Sequence, residues 1–295
     1  MSQPSVEQRE QVVQQAIGEL SHIATLPEIT LKIVELVEDP KSTAQDLNRV
    51  VSSDPALCSR ILKVVNSSFY GLPGQIASIN RAIVMLGLNA VKNIAIAASL
   101  AKLFRGGELT HNFSARDLWT HSANTAIAAK MIADGLKLGL SDEAFLAGLI
   151  HDIGLMVEMQ YDRNKLIEVF HRTAADSSGV PATSMLDNEL ELFGATHQDF
   201  GAALCDKWRF PKSFAHVTGY HHRPLELPAD QRTLTSVIYV ADRIAAECSA
   251  GFRQDLTSLD VGPDVRDVLR LSVEKLDELR KNFTKEAKSA GNLLG

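Results

Sequence analysis

Apolar residues recur along nearly the whole chain at helical rather than alternating spacing. In residues 114–133, Leu118, Ala126, Ile127, Met131 and Ile132 mark a mainly apolar helix, and Ser114 with Asp117 three positions on is a capping-box-like start. Residues 141–161 repeat the design. Ser141 is placed as an N-cap, Asp142 and Glu143 suit the first turn, and Phe145, Leu146, Leu149, Ile150, Ile153 and Val157 follow helical spacing. The same pattern predicts helices near 5–22, 27–38, 43–51, 55–66, 78–87, 89–104, 164–175, 184–193, 196–208, 211–221, 233–250 and 264–285. No convincing hairpin pair stands out, so the expected class is all-α.

The pattern breaks at FRGGELTHNFS, 104–114, where two glycines and a polar run interrupt it. Residues 1–104 are therefore expected to form one helical subdomain and 115–285 a second. Loops at 176–183 and 222–232 carry Ser, Gly and Pro and are candidates to cover a site. No repeat of solenoid period is evident.

Composition narrows the class further. The chain has 295 residues, 45% hydrophobic and 22% charged, which fits a globular protein and excludes disordered or fibrous ones. A formal charge of −6 is a poor match for nonspecific duplex binding. Lys32, Arg49, Arg60 and Lys63 are spread out and read as a solvated face, so nucleic acid is not an expected partner. Cys58, Cys205 and Cys248 form no CxxC pair and suggest reduced thiols. The polar N-terminus lacks a signal-peptide core, and no run of about 18 apolar residues exists. A cytoplasmic chain with no membrane partner is the expectation.

The chemistry lies in the histidines. His121 sits in LWTHSANTA, His151 and Asp152 in GLIHDIGLM, His197 in GATHQDFGA, His221 and His222 in GYHHRP, and Asp242 in YVADRIA. His22, His111, His171 and His216 are read as ordinary core or surface residues. Asp152 and Asp242 fall within apolar stretches, and a buried carboxylate needs a cation or strong donors. Imidazoles and carboxylates on packed helices suit a centre of the Fe, Mn, Zn or Mg type. Spacing alone leaves a metal centre and a buried polar network equally open.

The order His, then His-Asp, then Asp resembles the HD superfamily of metal-dependent phosphohydrolases, whose fold is a helical bundle. That resemblance implies metal ligation by His121, His151, Asp152 and Asp242. His197, His221 and His222 match the positions that complete a two-metal centre in the related HD-GYP cyclic di-GMP phosphodiesterases. Arg243, directly after Asp242, and Arg223 are candidates to contact a phosphate, although an arginine on an exposed turn is equally expected. A closer resemblance is to the HDOD proteins, bacterial signalling relatives of that family. It is carried by DPALCSRILKVVNSSFYG at 54–71, IASINRAIVMLGLNAVKNI at 76–94 and GATHQDFGAALCDKWRFPKSFAHVTGYHH at 194–222, and spans about residues 20–225.

The chain departs from the phosphodiesterase pattern in two places. HD-GYP enzymes carry a lysine within HDxGK, where this chain has HDIGL and Leu155. HHRPLELPAD follows the paired histidines with no Gly-Tyr-Pro. Losing a cationic contact to the transition state costs a few kcal/mol. The resemblance therefore implies an HD-like bundle with an N-terminal HDOD subdomain, acting as a regulatory module. Its expected cofactor is a divalent metal, Fe, Mn or Mg, in one or two ions. Its expected partner is a signalling protein or a nucleotide, and its catalysis is weak or absent. The alternative is a metal-dependent phosphohydrolase or cyclic dinucleotide phosphodiesterase.

Overall fold

Side-chain caps decide where most helices begin. In the computed structural model, which describes residues 4–20, 27–67, 69–101, 103–104, 108–110, 113–247 and 252–290, six helices precede the break. They are α1 (Val6–Glu19), α2 (Glu28–Glu38), α3 (Ala44–Ser52), α4 (Pro55–Val65), α5 (Ile79–Leu86) and α6 (Leu88–Leu100). Ser5 and Thr43 close capping boxes, and Asp54 caps α4 with Pro55 at its first position. Asn66, just past α4, accepts from the Ile76 backbone N–H at 2.6 Å and donates to the Ile76 carbonyl at 2.8 Å. That clamp folds the loop back so that Phe69 stacks on Phe145 of the second half, with ring centroids 6.0 Å apart.

The break itself holds a short antiparallel ribbon, β1 (Glu108–Thr110) and β2 (Phe113–Ser114). This corrects the expectation of no hairpin. Its strands are three and two residues long, below what alternation along a sequence can reveal. Ten further helices follow: α7 (Ala115–Gly135), α8 (Ser141–Ile150), α9 (Ile153–Tyr161), α10 (Arg163–Thr173), α11 (Met185–Leu192), α12 (His197–Lys207), α13 (Lys212–Tyr220), α14 (Arg232–Ala246), α15 (Pro263–Leu269) and α16 (Val273–Ala290). The Ser114–Asp117 capping box opens α7 as expected. The all-α class holds, and among the described residues no helix is long and apolar enough to cross a membrane.

Two long helices expected from the pattern are each divided. The 141–161 segment breaks at His151–Asp152, where Asp152 leaves helical geometry at φ −98°, ψ 16°. Periodicity could not reveal this, because residues 144–158, on both sides of the corner, are buried without interruption. The 264–285 segment breaks after Leu269, where Arg270 takes a left-handed φ of 51°. Ser141 is the first helical residue rather than the cap, its hydroxyl donating to Asp134. Arg60 is not simply solvated either, since its Nε donates to the Ala98 carbonyl at 3.1 Å. The expected helix ends at 21–22 and 248–250, together with His22, His111 and Cys248, lie outside the described residues.

α7, α8, α9, α12, α13 and α14 pack on one another as the bundle, and α6 rests on α8. α1 packs on α12 and α9, joining the chain's first helix to the second half. Glycine sets the closest approaches. A Cβ on Gly148 would lie 2.8 Å from Ala126 Cα of α7, and one on Gly154 would lie 1.8 Å from the His197 carbonyl oxygen of α12. Only bare Cα atoms let the α8–α9 corner sit this near its neighbours.

Candidate metal centre

Five helical elements and one loop converge where the α8–α9 corner turns. His121 comes from α7, His151 and Asp152 from the corner, His197 from the start of α12, His221 and His222 from the end of α13, and Asp242 from α14. The structure brings these seven side chains together and adds Asp255, from the loop after α14. Asp152 stands in the middle. Its Oδ2 lies 3.2 Å from His151 Nε2 and 3.9 Å from His121 Nε2, and its Oδ1 lies 3.2 Å from His221 Nε2 and 3.8 Å from His197 Nε2. Asp242 Oδ1 faces His121 Nε2 at 3.1 Å and His151 Nε2 at 3.9 Å. On the far side His222 Nε2 lies 3.2 Å from His197 Nε2 and 3.3 Å from Asp255 Oδ2. Two donor groups result, each with its atoms within 4.8 Å of one another: His121, His151 and Asp242; and Asp152, His197, His221, His222 and Asp255.

Surrounding groups fix which ring nitrogen faces inward. A carbonyl oxygen only accepts, so His151 Nδ1–H donates to Gly148 O at 2.8 Å. His221 Nδ1–H likewise donates to the end-of-helix carbonyls of Val217 and Thr218, at 3.2 and 3.1 Å. Thr196 caps α12, which leaves the His197 backbone N–H without a helical partner; it donates to Glu189 Oε2 at 3.0 Å. The same carboxylate accepts a hydrogen bond from His197 Nδ1–H at 2.8 Å. Each of these three rings therefore presents Nε2 to the centre. Such outer partners orient metal-binding imidazoles and raise their basicity.

Among the described residues, neither oxygen of Asp152, Asp242 or Asp255 receives a hydrogen bond, nor do His151 Nε2 and His221 Nε2 have one. All are buried, and their neighbours approach off the hydrogen-bonding directions. Leaving three carboxylates so placed costs several kcal/mol each unless a cation lies among them, a role that only protonated imidazoles can fill without a metal. The residues fit a divalent metal on this ground. Their imidazole-rich, thiolate-free set suits Fe or Mn better than Mg, which prefers oxygen.

The charges respond to this crowding. Burial works against ionisation of Asp152, but His151 and His221 hold it well below the usual carboxylate range. Burial likewise opposes charge on His151 and His197, yet Asp152 raises the first to about 9 and Glu189 raises the second to about 10. Burial, with His221 and His197 alongside, keeps His222 well below its ordinary value. Behind His197, burial and the nearby Glu189 push Glu158 well above the carboxylate range.

The other candidates have partners of their own. Arg243 turns back on its own helix: its guanidinium carbon lies 3.4 Å from the Tyr239 ring centre, and Nη1 donates to the Tyr239 carbonyl at 3.0 Å. Nη1 also pairs with Asp242 Oδ2 at 3.9 Å. Arg223 pairs with Glu226 at 3.5 Å and lies over Tyr220. Leu155 is buried in the apolar core. Asp255, Glu189 and Glu158 escaped the sequence reading. Asp255 lies in an irregular polar stretch, and Glu189 is eight positions from the histidine it orients, on a different helix.

Residues 23–224 match the HDOD domain family. A Treponema pallidum protein without an assigned function is 25% identical over 228 residues, which cover 76% of this chain and 42% of that protein. The chain thus spans about two fifths of the length of that curated relative. Among solved structures, an HDOD domain protein of unknown function from Geobacter sulfurreducens superposes with a TM-score of 0.82 at 24% identity, covering 99% of both chains. A candidate phosphohydrolase from Shewanella amazonensis superposes with a TM-score of 0.74 at 22% identity, covering 96% of this chain and 98% of its own. These likenesses extend the fold over nearly the whole molecule, and the family match covers more than half of it: the chain belongs to the HDOD domain family.

Proposed function

We propose that the chain is a bacterial, cytoplasmic signalling module of HDOD type that keeps an HD-type centre for one or two divalent metal ions and hydrolyses phosphoesters weakly or not at all. The observation that carries this reading is Asp152, whose two oxygens each face a different pair of imidazoles while neither accepts a hydrogen bond. His121, His151, Asp152 and Asp242 would hold one ion; His197, His221, His222 and the far oxygen of Asp152 would hold the second. When bound, the metal supplies Lewis-acid polarisation of a phosphate oxygen. The protein's own groups offer little to orient such a substrate. Leu155 is apolar and buried, and Arg243 is committed to Tyr239. The two helical halves, 1–104 and 115–285, are proposed to act together in presenting a surface to a signalling partner or a nucleotide.

The complete imidazole set favours the second reading, a working phosphohydrolase. Turnover of cyclic di-GMP by Mn-loaded protein separates the two. Very slow or absent hydrolysis is expected; rapid hydrolysis that disappears in His151→Ala would establish the enzyme instead.

A further inference from the structure

We infer that the loop Phe252–Leu256 is a built-in occupant of the centre, with the Asp255 carboxylate held where a phosphate oxygen would otherwise approach the second ion. The inference rests on the metal reading above and goes beyond it by naming what closes the site. Asp255 lies on neither a helix nor a strand, yet its side chain is fully buried. Neither of its oxygens is hydrogen-bonded, and one lies 3.3 Å from His222 Nε2. It shares one donor group with Asp152, His197, His221 and His222. Two carboxylates in so small a buried space stay ionised together only with a cation between them.

The loop is fastened from both ends. The Phe252 ring packs at 5.1 Å from Phe113, 6.1 Å from Phe170 and 6.1 Å from His121, measured between centroids. Leu256 is buried, and its N–H donates to the Arg253 carbonyl at 3.0 Å, which tightens the turn that aims Asp255 inward. Loop 176–183 lies over this turn: a Cβ on Gly179 would come within 3.0 Å of Arg253 Cγ. Carboxylate and phosphate are both hard anionic oxygen ligands and compete for one position on a divalent ion. A tethered carboxylate holds that position at high effective concentration. The excluded ligand class is therefore a free phosphate or a phosphomonoester, and Asp255 is the residue that excludes it.

The test compares the full-length wild type, Asp255→Asn and Asp255→Ala, each loaded with Mn(II). Metal content after gel filtration, water-proton relaxation by the bound Mn(II) and inorganic phosphate titration are measured on all three. Both variants should keep metal on the His121 side, show at least twofold higher relaxation as water reaches the ion, and bind phosphate at least tenfold more tightly than wild type. Asp255→Asn preserves shape, so it decides the matter if Asp255→Ala folds poorly. Wild type that binds phosphate as tightly as a folded Asp255→Asn overturns this inference and leaves the metal reading standing. Absence of metal from wild type overturns both.

Discussion

Asp152 and the rings around it set the chemistry of this chain at the scale of single residues. His151 and His197 hold protons up to about 9 and 10 in the metal-free fold, because Asp152 and Glu189 outweigh the penalty of burial. At neutral pH an incoming metal must displace those protons, so affinity rises with pH until the imidazoles are already neutral. Mn(II) titrations at pH 6, 7 and 8 should show affinity increasing by about tenfold per unit for each proton released. A pH-independent affinity would contradict these assignments. Glu189 offers a second check, since it binds both the backbone N–H and Nδ1 of His197. Glu189→Gln should weaken metal binding about 10- to 100-fold while leaving the helical fold, read by circular dichroism, unchanged. Away from the centre, burial pushes the Cys205 thiol up to about 12. It should resist iodoacetamide at pH 8 in the folded protein and react only on unfolding.

At the scale of elements, the corner between α8 and α9 depends on missing side chains. Gly154 faces the His197 carbonyl so closely that Gly154→Ala forces α9 and α12 apart. Urea unfolding should register a loss of about 3 kcal/mol or more, the upper end of overpacking costs. Gly18, exposed on α1 with open space where a Cβ would lie, is the control: Gly18→Ala should stabilise by roughly 0.5–1 kcal/mol. The elements were legible in the sequence where apolar residues recurred at helical spacing behind a recognisable cap. Thus α7 with its Ser114–Asp117 box and α12, capped by Thr196, lie where the pattern places them. The breaks at His151–Asp152 and Arg270 were not, because a turn inside a uniformly buried run, or at one left-handed residue, leaves helical periodicity intact on both sides. Asp152 and Asp242 stood out by their apolar neighbours, and the histidines by their order along the chain. Asp255 had no such frame, since a loop residue becomes part of a site only through tertiary packing.

For the whole molecule, the consequence is that residues as distant as His121 and Asp255 meet at one point, joined by six helices and a loop. Anything bound there ties the second half together and, through α1 on α12 and α6 on α8, reaches the first. Binding only to the folded state adds about 2.7 kcal/mol at one hundred times Kd, so a chelator should lower the Tm by on the order of 5 °C. An unchanged Tm alongside confirmed metal loss would mean that the centre is not coupled to the fold. The central claim, that this buried set of imidazoles and carboxylates is a metal centre, is tested most directly by the metal content of protein purified without chelators, measured by plasma mass spectrometry. One to two Fe or Mn ions per chain are expected in wild type, and none above background in Asp152→Asn that remains folded. Wild-type protein free of transition metal, and unable to take up Fe(II) or Mn(II) when supplied, would contradict it.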